Sequence, residues 1–312
     1  MTASDSAPDL AYVALVVDEP ETSAAIFEKD FGLPRQDFSC GGSTVPAIAV
    51  GRSAMAFFRP NDPFLGPEAQ KGVHHIAIGA DDPEAAARDS GLPTINGATD
   101  GIDRRPQIEI ARDATAGVRT RLTPVLGMAP ASSEIVQRID HLGVASADNH
   151  AARTAFIDRL GCVYESQQTD SEVETISENF TSDTYNYIFH TRPSQLIGSM
   201  RVTFITVGDT EFEFIQDLTS DVKADEARHD AAGTTRGDRS AIARYIASRG
   251  AGLHHIAFKT ADVAESLAKI KAAGHRTIDT VGRPGSRRAL IGFMHPTMIG
   301  GVLMHFVARE EI

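Results

Sequence analysis

Cysteine is nearly absent from this 312-residue chain: Cys40 and Cys162 are its only two, far apart and outside any C-x-x-C or zinc-finger spacing. That excludes a disulfide framework and reads as two free thiols in a reducing compartment, the cytoplasm by default. Basic charge is also in deficit. With 30 Lys and Arg against 42 Asp and Glu, the formal net charge is −12. No basic stripe offsets it, which argues against nonspecific binding to nucleic acid or to an anionic membrane. No apolar run reaches the length of a membrane span. The opening residues, MTASDSAPDLAYVALVV, lack the basic n-region of a signal peptide, so their apolar run is expected to be a strand. What is present is 42% hydrophobic and 23% charged residues, the balance of a soluble globular protein with a sizeable core. The length accommodates two ordinary domains.

The chain is self-similar. FEKDFGL (Phe27 to Leu33) matches FIDRLGC (Phe156 to Cys162), each a short amphipathic helix ending in glycine, the residue suited to a left-handed cap. GVHHIAIGADD (Gly72 to Asp82) matches GLHHIAFKTAD (Gly252 to Asp262), each an apolar strand with a His pair and an acidic helix start. The first pair lies 129 residues apart and the second 180, so the later half carries an insertion. The polar stretch Thr219 to Ser240 is its obvious part, expected to be a solvated loop or a lid. MAPASSE, from Met128 to Glu134, reads as the linker. These boundaries predict one module over residues 8–128 and a second over 136–310.

Within the second half, the patterning predicts a strand in IDHLGVAS and a helix over Asp148 to Leu160 with Asp148 as N-cap. Strands follow from Val163 and over Tyr185 to His190, Met200 to Val207 and Glu211 to Gln216. The pattern restarts at His254 to Thr260, with a helix over Val263 to Ala273 and strands over Arg288 to Met294 and Gly301 to Val307 on either side of a His295-Pro296 turn. This is a β-α-β-β-β unit repeated. The fold class is therefore α+β: four such units in tandem, forming two cup-shaped mixed sheets.

Polar residues interrupt the apolar strands at His141, at Glu213, at the pair His254-His255, and at His305. Buried charge or imidazole is costly unless paired or bound to a metal. Of the adjacent pair only one residue can share a face with the others. Three imidazoles and a carboxylate suit one divalent ion, with Zn, Fe, Co, Ni and Mn all compatible.

The segments IDHLGVAS, VTFITVGDTEFEFIQDL, GLHHIAFKTADV and FMHPTMIGGVLMHF resemble, in order and spacing, the vicinal oxygen chelate (glyoxalase/bleomycin resistance/dioxygenase) superfamily. Methylmalonyl-CoA epimerases and then glyoxalase I are most similar. The resemblance covers Ile139 to Val307 apart from the insertion, and more weakly Leu10 to Val125. It implies one metal ligand from each of four strands: His141, Glu213, His255 and His305. His305 stands where the family carries Glu. The corresponding positions of the first half are Tyr12, Ala56, His75 and Arg121, a set that does not bind metal.

What the resemblance implies for activity is a metal-dependent isomerase, epimerase or lyase. It would work through a metal-stabilised enolate on a small carbonyl or acyl-CoA substrate, with Glu213 and His305 as the catalytic candidates. Replacing a family Glu by His305 leaves Glu213 the only carboxylate in the set, with Tyr187 and His190 as weaker candidates for proton handling. The alternative is a nonhaem iron ring-cleaving or 2-oxo-acid dioxygenase, suggested by the double-length layout with one active half. A third reading is a metal-free ligand-sequestering cup. Arg228, His229, Arg236 and Arg239 in the insertion, and Arg283, Arg287 and Arg288 around Pro284-Gly285, face either an anionic substrate or solvent. A homodimer is compatible with this reading.

Overall fold

Strand β1 (Leu10–Val16) sets the pattern of the fold. All seven of its residues are buried, as required of a strand paired on both edges and covered on both faces. The computed structural model describes residues 7–66, 69–184, 186–219 and 235–309. After β1 come helix α1 (Pro20–Lys29), β2 (Arg35–Cys40), β3 (Ser43–Val50), β4 (Ser53–Phe58), β5 (Gly72–Gly79), helix α2 (Pro83–Ser90), β6 (Thr99–Asp100), β7 (Pro106–Ile110) and β8 (Thr120–Thr123). The Asp82 carboxylate accepts from the Ala85 N–H and Gly91 ends α2 in the left-handed region, an acidic cap and a glycine stop. These strands form one sheet in the order β2-β3-β4-β1-β5-β8-β7-β6. β1 and β5 are antiparallel at its centre, and each is parallel to the last strand of its own unit, β4 or β8.

The second half repeats this plan. β9 (Arg138–Ser146) leads to α3 (Asn149–Arg153), which Asp148 caps and which continues with wider turns through Thr154–Arg159. Next are β10 (Val163–Glu174), β11 (Ser177–Ser182), β12 (Asn186–Thr191), β13 (Gln195–Val207) and β14 (Thr210–Asp217). Then α4 (Thr235–Arg249), β15 (Gly252–Lys259), α5 (Val263–Ala272), β16 (Arg283–Pro284), β17 (Leu290–Met294) and β18 (Met304–Ala308) complete the described chain. The sheet order is β10-β13-β14-β9-β15-β18-β17-β16. Both sheets are curled half-barrels, the vicinal oxygen chelate fold.

Two additions lengthen the second half. One is the β11/β12 hairpin, which carries Phe180, Tyr187, Ile188 and Phe189 exposed. The other is α4. Of the Thr219 to Ser240 stretch, residues 220–234 lie outside the described residues, while Thr235–Ser240 begin α4 rather than a loop. The polar residues of that stretch hide the helix in the sequence. Its apolar stripe, Ile242, Tyr245 and Ile246, starts just past it and packs against Ala145, Met200, Val202, Phe204 and Ile215 on the inner face of the sheet.

One hydrophobic core runs through both sheets. Phe27 of α1 and Phe31 just beyond it stand 5.8 and 6.3 Å from the ring of Phe258 on β15, and Phe31 is 6.1 Å from Phe306 on β18. His275 and Asp30 pair at 2.7 Å across the same boundary. Phe258→Ala empties a site shared by both halves and is expected to cost about 3–5 kcal/mol. Near- and far-UV circular dichroism should show one denaturant transition moving as a unit; two separated transitions would contradict a shared core.

Candidate metal centre

The site is written into the strand register of β14, β9, β15 and β18. His141 on β9 lies opposite Ala257 on β15, and Ala257 lies opposite His305 on β18. Two residues along, Gly143 lies opposite both Glu213 on β14 and His255 on β15. Laterally paired residues share a face, as do residues two apart on one strand, so all four polar side chains point into the cup. All four are buried.

The three imidazoles each bring one nitrogen to within 4.8 Å of the others. The Nε2 atoms of His141 and His305 are 3.2 Å apart. The Glu213 carboxylate lies 3.3 Å from His141 Nε2 and 3.6 Å from His255 Nε2. His255 Nε2 has no hydrogen-bond partner among the described residues. Two imidazoles bound about 2.0–2.1 Å from a common ion bring their nitrogens to about 2.9–3.4 Å of each other. The spacing, the orphaned nitrogen and the donor set therefore fit a divalent ion.

Gly143 is what lets His255 reach inward. A Cβ there would stand 2.0 Å from His255 Cε1 and 2.4 Å from its Nε2. Glycine inside a strand marks such close approaches, and the Gly in IDHLGVAS is the signal by which the sequence could have shown it. A second residue missed from sequence is Asp140. Its carboxylate accepts from His141 Nδ1 at 2.8 Å and from Arg309 Nη1 at 2.6 Å. Because a carboxylate only accepts, His141 carries its proton on Nδ1 and presents the Nε2 lone pair to the cup. Arg309 and Arg287 both donate to Glu211, which ties that carboxylate up at the cup wall.

Charge balance follows from these contacts. Burial pushes the Glu213 carboxyl up, but His141 and His255 outweigh it and, with a hydrogen bond from Ser286, hold it down at about 2. Burial lowers His141 as well, yet Glu213 and Asp140 prevail and its pKa is raised. His305 is held well below the usual imidazole range by burial and then by the neighbouring His255, His141 and Arg283. Tyr187 and His190 are elsewhere: both lie on the exposed hairpin, His190 paired with Glu178 at 2.9 Å. Arg228 and His229 lie outside the described residues. Arg239 is buried against Gly198 and donates to the Ile197 carbonyl.

The first cup shows what the same register does without these residues. Tyr12 lies opposite Ala77 and Ala77 opposite Arg121, while Ala14 lies opposite both Ala56 and His75. Tyr12, Ala56, His75 and Arg121 thus occupy the positions of His141, Glu213, His255 and His305. The Tyr12 hydroxyl and His75 Nε2 are 3.2 Å apart. Arg121 sits on the Phe64 ring and pairs with Glu109 at 3.3 Å. A continuous apolar cluster including Phe38, Phe58 and Leu65 fills the rest. No group of three or more potential ligands occurs there among the described residues.

Residues 140–293 match the profile of the Glyoxalase/Bleomycin resistance protein/Dioxygenase superfamily. The sheets of both halves take the vicinal oxygen chelate arrangement, and the matched residues 140–293 belong to that superfamily. Among solved structures, a mutant 4-hydroxymandelate synthase from Streptomyces coelicolor is similar over 97% of this chain and 93% of its own, at a TM-score of 0.63 and 15% identity. Methylmalonyl-CoA epimerase from Mycobacterium tuberculosis matches over 58% of this chain and 93% of its own, at a TM-score of 0.39 and 20% identity. The uncharacterized protein YqjC of Bacillus subtilis (strain 168) is 24% identical over 169 residues, 54% of this chain and 90% of that protein. Among the described residues no helix is long and apolar enough to cross a membrane.

Two predictions follow from this geometry. Gly143→Ala should fold with an unchanged far-UV spectrum yet bind zinc at least tenfold more weakly, because the new methyl displaces the His255 ring. Asp140→Asn should weaken zinc about 10–100-fold. Titration with a competing chelator checks both, and wild-type affinity in either variant would contradict the assignment. In the first cup, burial first, and then Arg119, Arg121 and Arg112, lower His74 from 6.5 to about 3. The unfolded chain therefore binds a proton below pH 6.5 that the folded chain refuses, so stability present above 6.5 is lost as pH falls toward 3. Urea midpoints at pH 7 and 5 should show that loss, and His74→Gln should reduce it.

Proposed function

We propose that the chain is a metal-dependent isomerase, epimerase or lyase that moves a proton at a carbon next to a carbonyl. Residues 136–310 form its metal-binding module, and residues 8–128 a metal-free companion. The observation that carries this reading is the buried convergence of His141, His255, His305 and Glu213 in a cup lined by apolar side chains, Val202, Phe204 and Ile215 on one side and Ala257, Ala289 and Val307 on the other. His141, His255, His305 and Glu213 would hold the ion. When bound, it supplies Lewis-acid polarisation of a substrate carbonyl.

The protein's own groups divide the remaining work. Glu211 is committed to Arg287 and Arg309, and Asp140 to His141 and Arg309, so Glu213 is the carboxylate left to take a proton. Its lowered pKa keeps it ionised and able to accept a proton, as a weaker base than a carboxylate poised near neutral pH. His305, its Nε2 turned to His141, acts as a ligand. Phe204, Phe293 and the stripe of α4 keep water from the reacting carbon.

A second reading, a nonhaem iron dioxygenase, is favoured by the pairing of one filled cup with one polar cup in a double-length chain. Solvent-deuterium incorporation by zinc-, cobalt-, manganese-, nickel- and iron-loaded protein into a panel of thioesters and 2-oxo acids separates the two. Exchange supports proton transfer, and Glu213→Gln, which keeps an amide oxygen as a donor to the ion but loses the basic carboxylate, should slow exchange about 10²–10⁴-fold with the metal still bound. Oxygen uptake that requires ferrous ion, with no exchange across the panel, would replace the first reading by the second.

A further inference from the structure

Three arginines reach the cup of the second sheet, and in two of them the terminal guanidinium nitrogens are held by carboxylates, although Arg287 Nε has no partner among the described residues. Arg309 is bound to Asp140 and Glu211, and Arg287 to Glu165 and Glu211 while stacking on Phe204 at 3.5 Å. Arg283 differs. It lies opposite Ile291 on β17, which is two residues from Phe293 and opposite Val307. Phe293 in turn lies opposite His305. By register Arg283 therefore faces the same interior as His305, across the outermost strands.

Its guanidinium is fixed at one end and free at the other. Nε donates to Asp279 at 3.2 Å, and the same Asp279 oxygen accepts the Phe293 N–H at 2.8 Å. The guanidinium carbon stands 5.0 Å over the centre of the Phe293 ring. That ring stands edge-on to His305 with centroids 4.6 Å apart. Arg283 Nη1 is buried with no hydrogen-bond partner among the described residues, and so is Nδ1 of His305. A buried guanidinium N–H without an acceptor is costly. Arginine is the residue suited to carboxylate, whose planar oxygens match its fork.

We propose that Arg283 is a specificity residue that binds a carboxylate of the substrate. The substrate class is then an oxo acid or acyl compound whose anionic group is separated from the carbonyl at the metal by about the breadth of one aromatic ring. On this assignment the carboxylate held by Arg283 does not itself chelate the ion. Asp279 aims the guanidinium, and Phe293 sets its distance from His305.

The inference rests on the proposed metal site, and the test separates the two. Zinc-loaded protein is titrated calorimetrically with 4-oxopentanoate and with its methyl ester, with zinc stoichiometry measured on the same samples. The acid should bind at least tenfold more tightly than the ester. Arg283→Gln should abolish that difference with zinc content unchanged, and Arg283→Lys, should the glutamine variant fail to fold, should retain part of it. Equal binding of acid and ester, a difference that survives in Arg283→Gln, or no uptake of the acid by wild type would overturn the proposal. If the protein takes up no zinc, the metal reading fails instead, and the same comparison on metal-free protein still decides the role of Arg283.

Discussion

The site depends on one pairing, β9 against β15 at the centre of the second sheet. Antiparallel pairing there, with a parallel neighbour on each outer edge, sets two lateral rows across four strands. One row carries His141 and His305 on either side of Ala257. The other carries Glu213 and His255 on either side of Gly143. Small residues stand at the middle of both rows, so the polar side chains lean toward each other over them instead of being held apart. A one-residue slip between β9 and β15 would turn half of the set to the opposite face.

The two cups show what a buried polar cluster demands. In the first, the equivalent positions hold a tyrosine, an alanine, a histidine and an arginine; the tyrosine hydroxyl pairs with the histidine Nε2, the terminal nitrogens of the arginine meet protein acceptors and its plane an aromatic face, and apolar side chains occupy the remaining space. In the second, the apolar residues are split into two separate clusters on either side of the imidazoles. His255 Nε2 and His305 Nδ1 find no partner among the described residues. Unpaired buried nitrogens are tolerable where something else completes them. The same backbone thus supports an interior packed with apolar side chains or one that gathers three imidazoles and a carboxylate, and the side chains in four register positions decide which.

Much of this was legible in the chain itself. Duplicated strand and helix signals in GVHHIAIGADD and GLHHIAFKTAD carry the four-unit architecture, because apolar alternation and glycine caps act locally. The polar residues stood out because they interrupt apolar strands. Asp140 and Arg309 were invisible: a polar residue beside a histidine looks the same in sequence whether it supports that histidine or meets solvent, and the Arg309–Asp140 contact joins residues 169 apart. The helix α4 was obscured because its apolar residues begin only after a long polar run. Tyr187 and His190 looked eligible as strand residues next to the site, yet they belong to a hairpin that leaves the sheet.

The aromatic seam formed by Phe27, Phe31, Phe258 and Phe306 bears on how the two halves depend on each other. The first half is not a spare copy. It forms the hydrophobic wall behind β15 and β18, two of the four strands that carry the polar cluster. A second half produced alone would present Phe258 and Phe306 to water, and a sheet bent or associated to hide them would no longer hold His255 and His305 at their present spacing. The first half therefore serves as the buttress of the second.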